Sequence, residues 1–416
     1  MTAPQFTFIF LVALIVTTLA KLWLARRHLS HMAAHRATVP EAFTEKIQLG
    51  DHQKAADYTS AKTRMGILSI FFDALLLLAF TLGGGIQRIA DLCSSWFSNP
   101  ISQGMATIVT VLILFSLLEA PFSLYRTFVI EARFGFNKMT FKLYMLDALK
   151  GILLGAVMGL PLMLGVLWLM ERMGTYWWLD VWAVWVVFNL LILFIYPSFI
   201  APLFNKFSPL QDMAMKARIE SLLSKCGFTA QGLFVMDGSK RSAHGNAYFT
   251  GFGKTKRIVF FDTLLERLTI NEVEAVLAHE LGHFKRRHVV KRIIMTFAIS
   301  LGFLWLLGRL MQTTWFYQGL GVTAPSTAVA LLLFFLTLPV FSFLLGPIMS
   351  AYSRKHEFEA DAYAAKQTDA ADLVNALVKM YQDNAATLTP DPLYSRFYDS
   401  HPPAMVRIAQ LQGAHL

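Results

Sequence analysis

Cysteine is nearly absent. Only Cys93 and Cys226 occur in 416 residues. Two thiols cannot build a disulfide framework, and no Cys-x-x-Cys metal pair exists. Charge is scarce too: 15% of residues are Asp, Glu, Lys or Arg, against about 25% in an average soluble domain. That excludes an ordinary water-soluble chain. No internal repeat and no low-complexity tract occurs, which excludes a solenoid. The opening "MTAPQFTFIFLVALIVTTLAKLW" lacks a basic n-region and a small-residue cleavage site, so it reads as a retained first span rather than a removed signal peptide. The formal charge is +10, but no basic-aromatic module accompanies it, so a nucleic-acid partner is excluded.

Apolar residues take the place of charge. They make up 55% of the chain, with a mean hydropathy of +0.49. A run of about 20 apolar residues crosses a bilayer core. Such runs lie near 6–24, 66–86, 104–124, 148–170, 177–197, 291–311 and 327–349. Gly-Leu-Pro at 159–161, Pro339 and Pro347 mark kinks within them. Aromatic residues such as Tyr176, Trp177 and Trp178 sit at span ends, as at a membrane interface.

Lys and Arg crowd the segment after the first span and the segment around 125–142. The loop after the second span has only Arg88, and the loop after the sixth has no charge. Positive loops mark the cytoplasmic side, which puts the N-terminus outside and the C-terminus inside. Cys93 and Cys226 then face opposite sides of the membrane. The chain divides into five N-terminal spans (1–200), a polar segment (201–290), spans six and seven (291–349) and a C-terminal polar segment (350–416).

The first polar segment reads as mixed α/β. "MKARIESLLSKCG" is an amphipathic helix closed by Gly227. "GLFVMDGS", "GNAYFTGFG" and "KRIVFFDTLL" are strands. "TINEVEAVLAHELGHFKRRH" is a helix opened by a Thr269/Glu272 capping box. The C-terminal segment is helical around "SRKHEFEADAYAAKQ" and "AADLVNALVKMYQD".

That capped helix carries His279, Glu280 and His283 as His-Glu-x-x-His. Positions i and i+4 share one helix face, so the two imidazoles can meet one Zn2+, with Glu280 as base toward water. The extended pattern with a third histidine is absent. His288 lies about 180° from His279 on a continuous helix and reads as an interfacial residue. The third ligand is then a later carboxylate. Glu357 serves as ligand, and Asp361, four residues on, accepts the outward N–H of a ligating histidine. Glu359 points about 200° away, and His356 is a weaker competitor. Two spans separate the motifs, so both return to one side of the membrane. Asp73 and Glu119 stand inside apolar runs. Ionisable groups there face a cavity or a partner.

The ordered landmarks "EARFGFNK", "APLFNKFSPL", "DGSKRSAHGNAYFTGFGKTKRIVFFDTLL", "HELGH", "EFEAD" and "SHPP" resemble those of the type-I CAAX prenyl proteases. The resemblance spans nearly the whole chain. It implies a mainly α membrane protein: seven tilted helices around a hollow, water-filled chamber, with a small cytoplasmic α/β gluzincin-like protease domain. It implies one zinc ion held by His279, His283 and Glu357, with Glu280 as catalytic base. It also implies that Asn246, with Ala247 and Tyr248, holds substrate backbone. His401 would steady the tetrahedral intermediate, and Arg407 would accompany it near the site. The expected substrate is a peptide or protein near the membrane, with or without a lipidated C-terminus, and membrane lipid surrounds the chain. A bacterial inner-membrane setting and a monomer are the expectation. Quality control of membrane proteins is the alternative within proteolysis, and a lipid- or chain-binding chamber the alternative outside it.

Overall fold

The structure is a computed structural model and describes residues 1–229, 232–250 and 257–413. The membrane helices come first. They are α1 (Ala3–His35), α2 (Leu49–Phe80), α3 (Gly85–Trp96), α4 (Pro100–Tyr125), α5 (Phe141–Arg172) and α6 (Trp177–Ile195). The polar segment holds α7 (Ala201–Phe204), β1 (Phe207–Pro209), α8 (Met213–Cys226), β2 (Gly232–Met236), β3 (Ala247–Thr250), β4 (Arg257–Phe261), α9 (Asp262–Leu265) and α10 (Ile270–Lys285). Then follow α11 (His288–Leu310), α12 (Thr314–Gln318), α13 (Thr327–Ser342), α14 (Gly346–Gln367), α15 (Ala370–Asp383), α16 (Pro392–Tyr398) and α17 (Ala404–Leu411).

Among the described residues, seven helical stretches are long and apolar enough to cross a membrane. They coincide with the seven expected spans, but most run longer. α1 reaches His35 and α2 begins at Leu49, both well into polar sequence. The second span stops at Phe80 rather than 86, because three consecutive glycines follow and Gly84 adopts φ 75°. Pro161 and Pro339 lie within α5 and α13, whereas Pro347 restarts the chain as α14 after a short 3-10 turn.

The spans form a closed circuit. α1 neighbours α2, α2 meets the π-helical extension of α4, and α4 meets α5. α5 meets α6, α6 meets α11, α11 meets α13, and α13 returns to α1. Their packing is lopsided. The buried residues of α4 are Gly104, Thr107, Ile108 and Val111, all in its first half. Those of α5 are Leu167, Leu169 and Met170, all near its end. α6 buries only Trp177 and Val181, at its start. The apolar side chains among them, from Ile108 to Val181, join one hydrophobic cluster with Phe6, Phe10, Phe80, Leu307 and Leu333. α4, α5 and α6 therefore converge at the end carrying the N-terminus and part at the other, while α1 and α2 bury residues at both ends. At the parted end, Gly151 and Gly155 of α5 have open space beside them. The fold is a chamber plugged at one end.

Asp73 and Glu119 are both exposed. Glu119 is about 20° around α4 from buried Ile108, and Asp73 about 20° around α2 from buried Phe80. Both sit beyond the plug, toward the open end.

Across that open end lies a small sheet, in the order β1-β2-β4-β3. β2 and β4 are parallel, and the outer pairs are antiparallel. β1 is an addition to the expected strands; three residues ending in Pro209 carry too little alternation to be read. Residues 251–253, expected to finish the β3 strand, and Lys256 lie outside the described residues. The sheet packs through Ile258 and Phe260 on α8 and on Val273, Val276 and Leu277 of α10.

The expected capping box opens α10. Thr269 N–H donates to Glu272 Oε2 at 2.7 Å, and Glu272 N–H to Thr269 Oγ1 at 3.4 Å. Lys379 of α15 also donates to Glu272 Oε2, at 2.7 Å. Burial opposes the Glu272 charge, but the bonds from Lys379 and Thr269 outweigh it and hold its pKa below the ordinary 4.5. A depressed carboxyl pKa stabilises the fold above the ordinary value, and that contribution is lost as pH falls through the folded one. Glu272→Ala should therefore destabilise the protein by about 1–2 kcal/mol in neutral thermal unfolding. The difference from wild type should shrink as the pH falls through the carboxyl range. The chamber has its own check. Glu119→Cys should react with a water-soluble, membrane-impermeant thiol reagent, while buried Cys93 and Cys226 stay unlabelled. A folded variant that resists labelling would put residue 119 in lipid.

Candidate metal centre

α10 lies against α14, and one residue governs how closely. A Cβ on Gly282 would stand 2.9 Å from Ala360 Cα and 3.0 Å from the Ala360 carbonyl oxygen. The two backbones therefore touch where a side chain would separate them. One turn back along α10 is His279, and the next residue is His283. Three residues before Ala360 on α14 is Glu357. Close approach here is what brings the three together.

His279 Nε2 and His283 Nε2 are 3.2 Å apart. His279 Nε2 is 3.4 Å from Glu357 Oε2, and His283 Nε2 is 3.4 Å from Glu357 Oε1. All three ligand atoms lie within 4.8 Å of one another. Glu357 Oε2 is buried with no hydrogen-bond partner, which is costly unless a cation satisfies it. The innermost ring holds the carboxylates of Glu280, Glu357 and Asp361 against the single guanidinium of Arg407. The excess of carboxylates over guanidinium suits a bound cation. The residues fit a metal of nitrogen and oxygen preference.

Outer partners set the ligand orientation. Asp361 Oδ1 accepts from His279 Nδ1 at 2.8 Å. Arg407 clamps Asp361 with Nε to Oδ2 at 2.8 Å and Nη2 to Oδ1 at 2.6 Å. Burial works against a charged His279, but Asp361 and Glu357 outweigh it and raise its pKa. Burial, followed by the His279 charge, pushes His283 down. Burial, above all, raises the Glu280 carboxyl.

His401 Nε2 stands 3.5 Å from Glu357 Oε1, at the exposed rim. Arg354 of α14 donates to the carbonyls of Ser395 and Asp399 and so fixes the loop that carries it. Asn246, Ala247 and Tyr248 lie apart from the ligand cluster, on the neighbouring sheet. β3 is an edge strand, and Phe249 packs on Phe284 beside His283. Asn246 is exposed, and its carbonyl accepts from Phe261 N–H at 2.9 Å. Ala247 turns its side chain toward the hydrophobic cluster, and Tyr248 turns to the opposite face, near Phe261.

His288 differs from the sequence expectation. The helix does not continue through it. Arg287 adopts φ 56°, ψ 33°, and α11 restarts at His288. The turn brings His288 Nδ1 to 3.0 Å from His283 Nδ1, and His288 Nε2 to 3.0 Å from Glu359 Oε2. His356, weighed above as a ligand, instead stacks on the His288 ring with centroids 3.9 Å apart.

The sequence pattern of peptidase family M48 matches residues 209–415, and that described as "CAAX prenyl protease N-terminal, five membrane helices" matches residues 28–206. The chain belongs to peptidase family M48. The CAAX prenyl protease 1 homolog of Arabidopsis thaliana is 38% identical over 318 residues, covering 76% of this chain and 74% of that one. CAAX prenyl protease 1 of Saccharomyces cerevisiae is 33% identical over 401 residues, covering 90% and 88%. The crystal structure of S. mikatae Ste24p superposes with a TM-score of 0.92 at 31% identity, over 98% of this chain and 99% of that one. This M48 chain is an integral multi-pass membrane metalloprotease.

In the M48 chain, Gly282 pits two effects against each other. Alanine favours a helix over glycine by about 1 kcal/mol. Forcing a methyl against a backbone typically costs about 1–3 kcal/mol. Here the clash is with Ala360 main chain, which cannot rotate away, so the cost wins. Gly282→Ala should lower the melting temperature and the metal content together. A variant at least as stable as wild type, with full metal, would show that the helices can separate freely.

Proposed function

We propose that this protease is a zinc endopeptidase of the His-Glu-x-x-His gluzincin type, with His279, His283 and Glu357 as ligands and Glu280 as general base. The observation that carries the reading is the convergence of three ligand atoms beside a half-buried glutamate. Two imidazoles, one carboxylate and an open fourth position are the donor set of catalytic zinc. Bound zinc supplies Lewis acidity, lowering the pKa of a water molecule and polarising the scissile carbonyl.

The chain's own groups do the rest. Glu280, its pKa raised by burial, takes the proton of the attacking water and passes it to the leaving amine. His401, at the rim, donates to the oxygen on which charge develops. The exposed edge of β3 offers Asn246, Ala247 and Tyr248 to an extended peptide, with main-chain hydrogen bonds giving affinity. Asp361 and Arg407 hold His279 in the tautomer that presents Nε2.

The substrates are peptides or proteins that reach the site at the membrane surface. The relatives' names favour C-terminal segments of prenylated proteins. The wide chamber favours, as a second reading, less selective removal of membrane or misfolded proteins. The basic segments 25–65 and 125–142 lie at the end that holds the metal centre, which supports a cytoplasmic active site and an outside N-terminus.

Glu280→Ala tests the assignment. Cleavage of a reporter peptide should fall at least about 10²-fold, while one zinc per chain remains by elemental analysis. Turnover near the wild-type rate would end the assignment of Glu280 as base.

A further inference from the structure

His279 and His283 are ligands of the same type but are held differently. Behind His279 stands a carboxylate, Asp361, itself clamped by Arg407. Behind His283 stands another imidazole, His288, and behind that the carboxylate of Glu359. We propose that His288 and Glu359 are positioning residues, a two-step relay that fixes His283 in the tautomer and orientation that bind metal. The proposal rests on the reading that His283 is a ligand.

The hydrogen-bond inventory dictates the direction of the relay. An ionised carboxylate only accepts, and a neutral imidazole has one N–H and one lone pair. Glu359 Oε2, 3.0 Å from His288 Nε2, therefore requires the proton of His288 on Nε2. His288 Nδ1 is then a lone pair. His283 Nδ1, 3.0 Å away, must be the donor. The lone pair of His283 is thereby left on Nε2, the atom that faces Glu357 Oε1 and His279 Nε2. One acceptor at the far end determines every proton in the chain. Outward partners of this kind also raise ligand basicity.

The backbone is bent to make this contact. On an unbroken helix His288 would lie about 140° around from His283. Arg287 instead takes a left-handed conformation, which a non-glycine residue rarely adopts. Such a residue persists where its surroundings over-determine it. Here they do: His288 is 1% exposed, stacked on His356 with rings 9° from parallel, and bonded through both nitrogens.

The test uses full-length protein in detergent, loaded with zinc, and reads zinc release to a chromogenic chelator. His288→Phe keeps the ring stack and removes both nitrogens. His288→Gln restores an acceptor for His283. Glu359→Leu changes only the far end, where the side chain is 31% exposed, so it is expected to fold even if the position-288 variants do not. Loss of such an outer partner typically costs 10–100-fold in metal affinity. We expect His288→Phe and Glu359→Leu to release zinc about 10–100-fold faster, and His288→Gln to recover part of that. The melting temperature of zinc-stripped protein should be unchanged. Wild-type release rates in both His288→Phe and Glu359→Leu would overturn the relay and leave the zinc reading standing. Equal loss in Phe and Gln variants, with a lowered zinc-free melting temperature, would also overturn it, in favour of packing. A wild-type chain that binds no stoichiometric zinc would remove the ligand assignment beneath it.

Discussion

The contact between Gly282 and Ala360 sets the spacing of every group around the metal centre. α10 and α14 are separated in sequence by two membrane crossings, yet their backbones meet at van der Waals distance. With that distance fixed, His279, His283 and Glu357 are within reach of a single ion. Asp361, one turn beyond Glu357, falls opposite the far nitrogen of His279. Glu359, on another face of α14, falls opposite His288. Two helices in contact at one small residue thus bring together three groups able to hold an ion and the partners behind them.

The same closeness concentrates charge. Buried carboxylates repel one another strongly in a low dielectric and are tolerated only when paired. Arg407 arrives from α17, the last helix, to neutralise Asp361. Its own position depends on the loop that carries His401, which Arg354 ties to α14. The C-terminal segment is therefore electrostatically part of the site, although it contributes no ligand.

Much of this was legible in the sequence, for definite reasons. The spans follow from long apolar runs, which few other structures permit. α10 was legible twice, through its Thr269/Glu272 cap and through its apolar spacing. The pairing of His279 with His283 follows from helical period alone, and Glu357 with Asp361 likewise. The failures share a cause. Helical projection was carried through Lys285, Arg286 and Arg287, none of which is a helix breaker by composition. The break at Arg287 is imposed by tertiary contacts of His288, so no local pattern announces it. Gly282 read as a motif letter, because a close approach to a helix dozens of residues away leaves no trace nearby. β1 was too short to alternate.

The lopsided packing of the spans bears on how a water-consuming reaction can sit against a membrane. The hydrophobic cluster that fastens the helices lies at the end remote from the metal. Toward the metal α4, α5 and α6 bury none of their own residues while α1 and α2 stay packed together, and Asp73 and Glu119 stand exposed. A bundle packed along its full length would bring lipid-like surface up to the catalytic helix and exclude the reagent. Fastening α4, α5 and α6 at one end leaves their other ends apart, and ionisable groups there favour water over lipid. α11 begins at His288, inside the metal cluster, and runs on through the bundle. One turn of backbone at Arg287 therefore both starts the sixth span and brings His288 against His283.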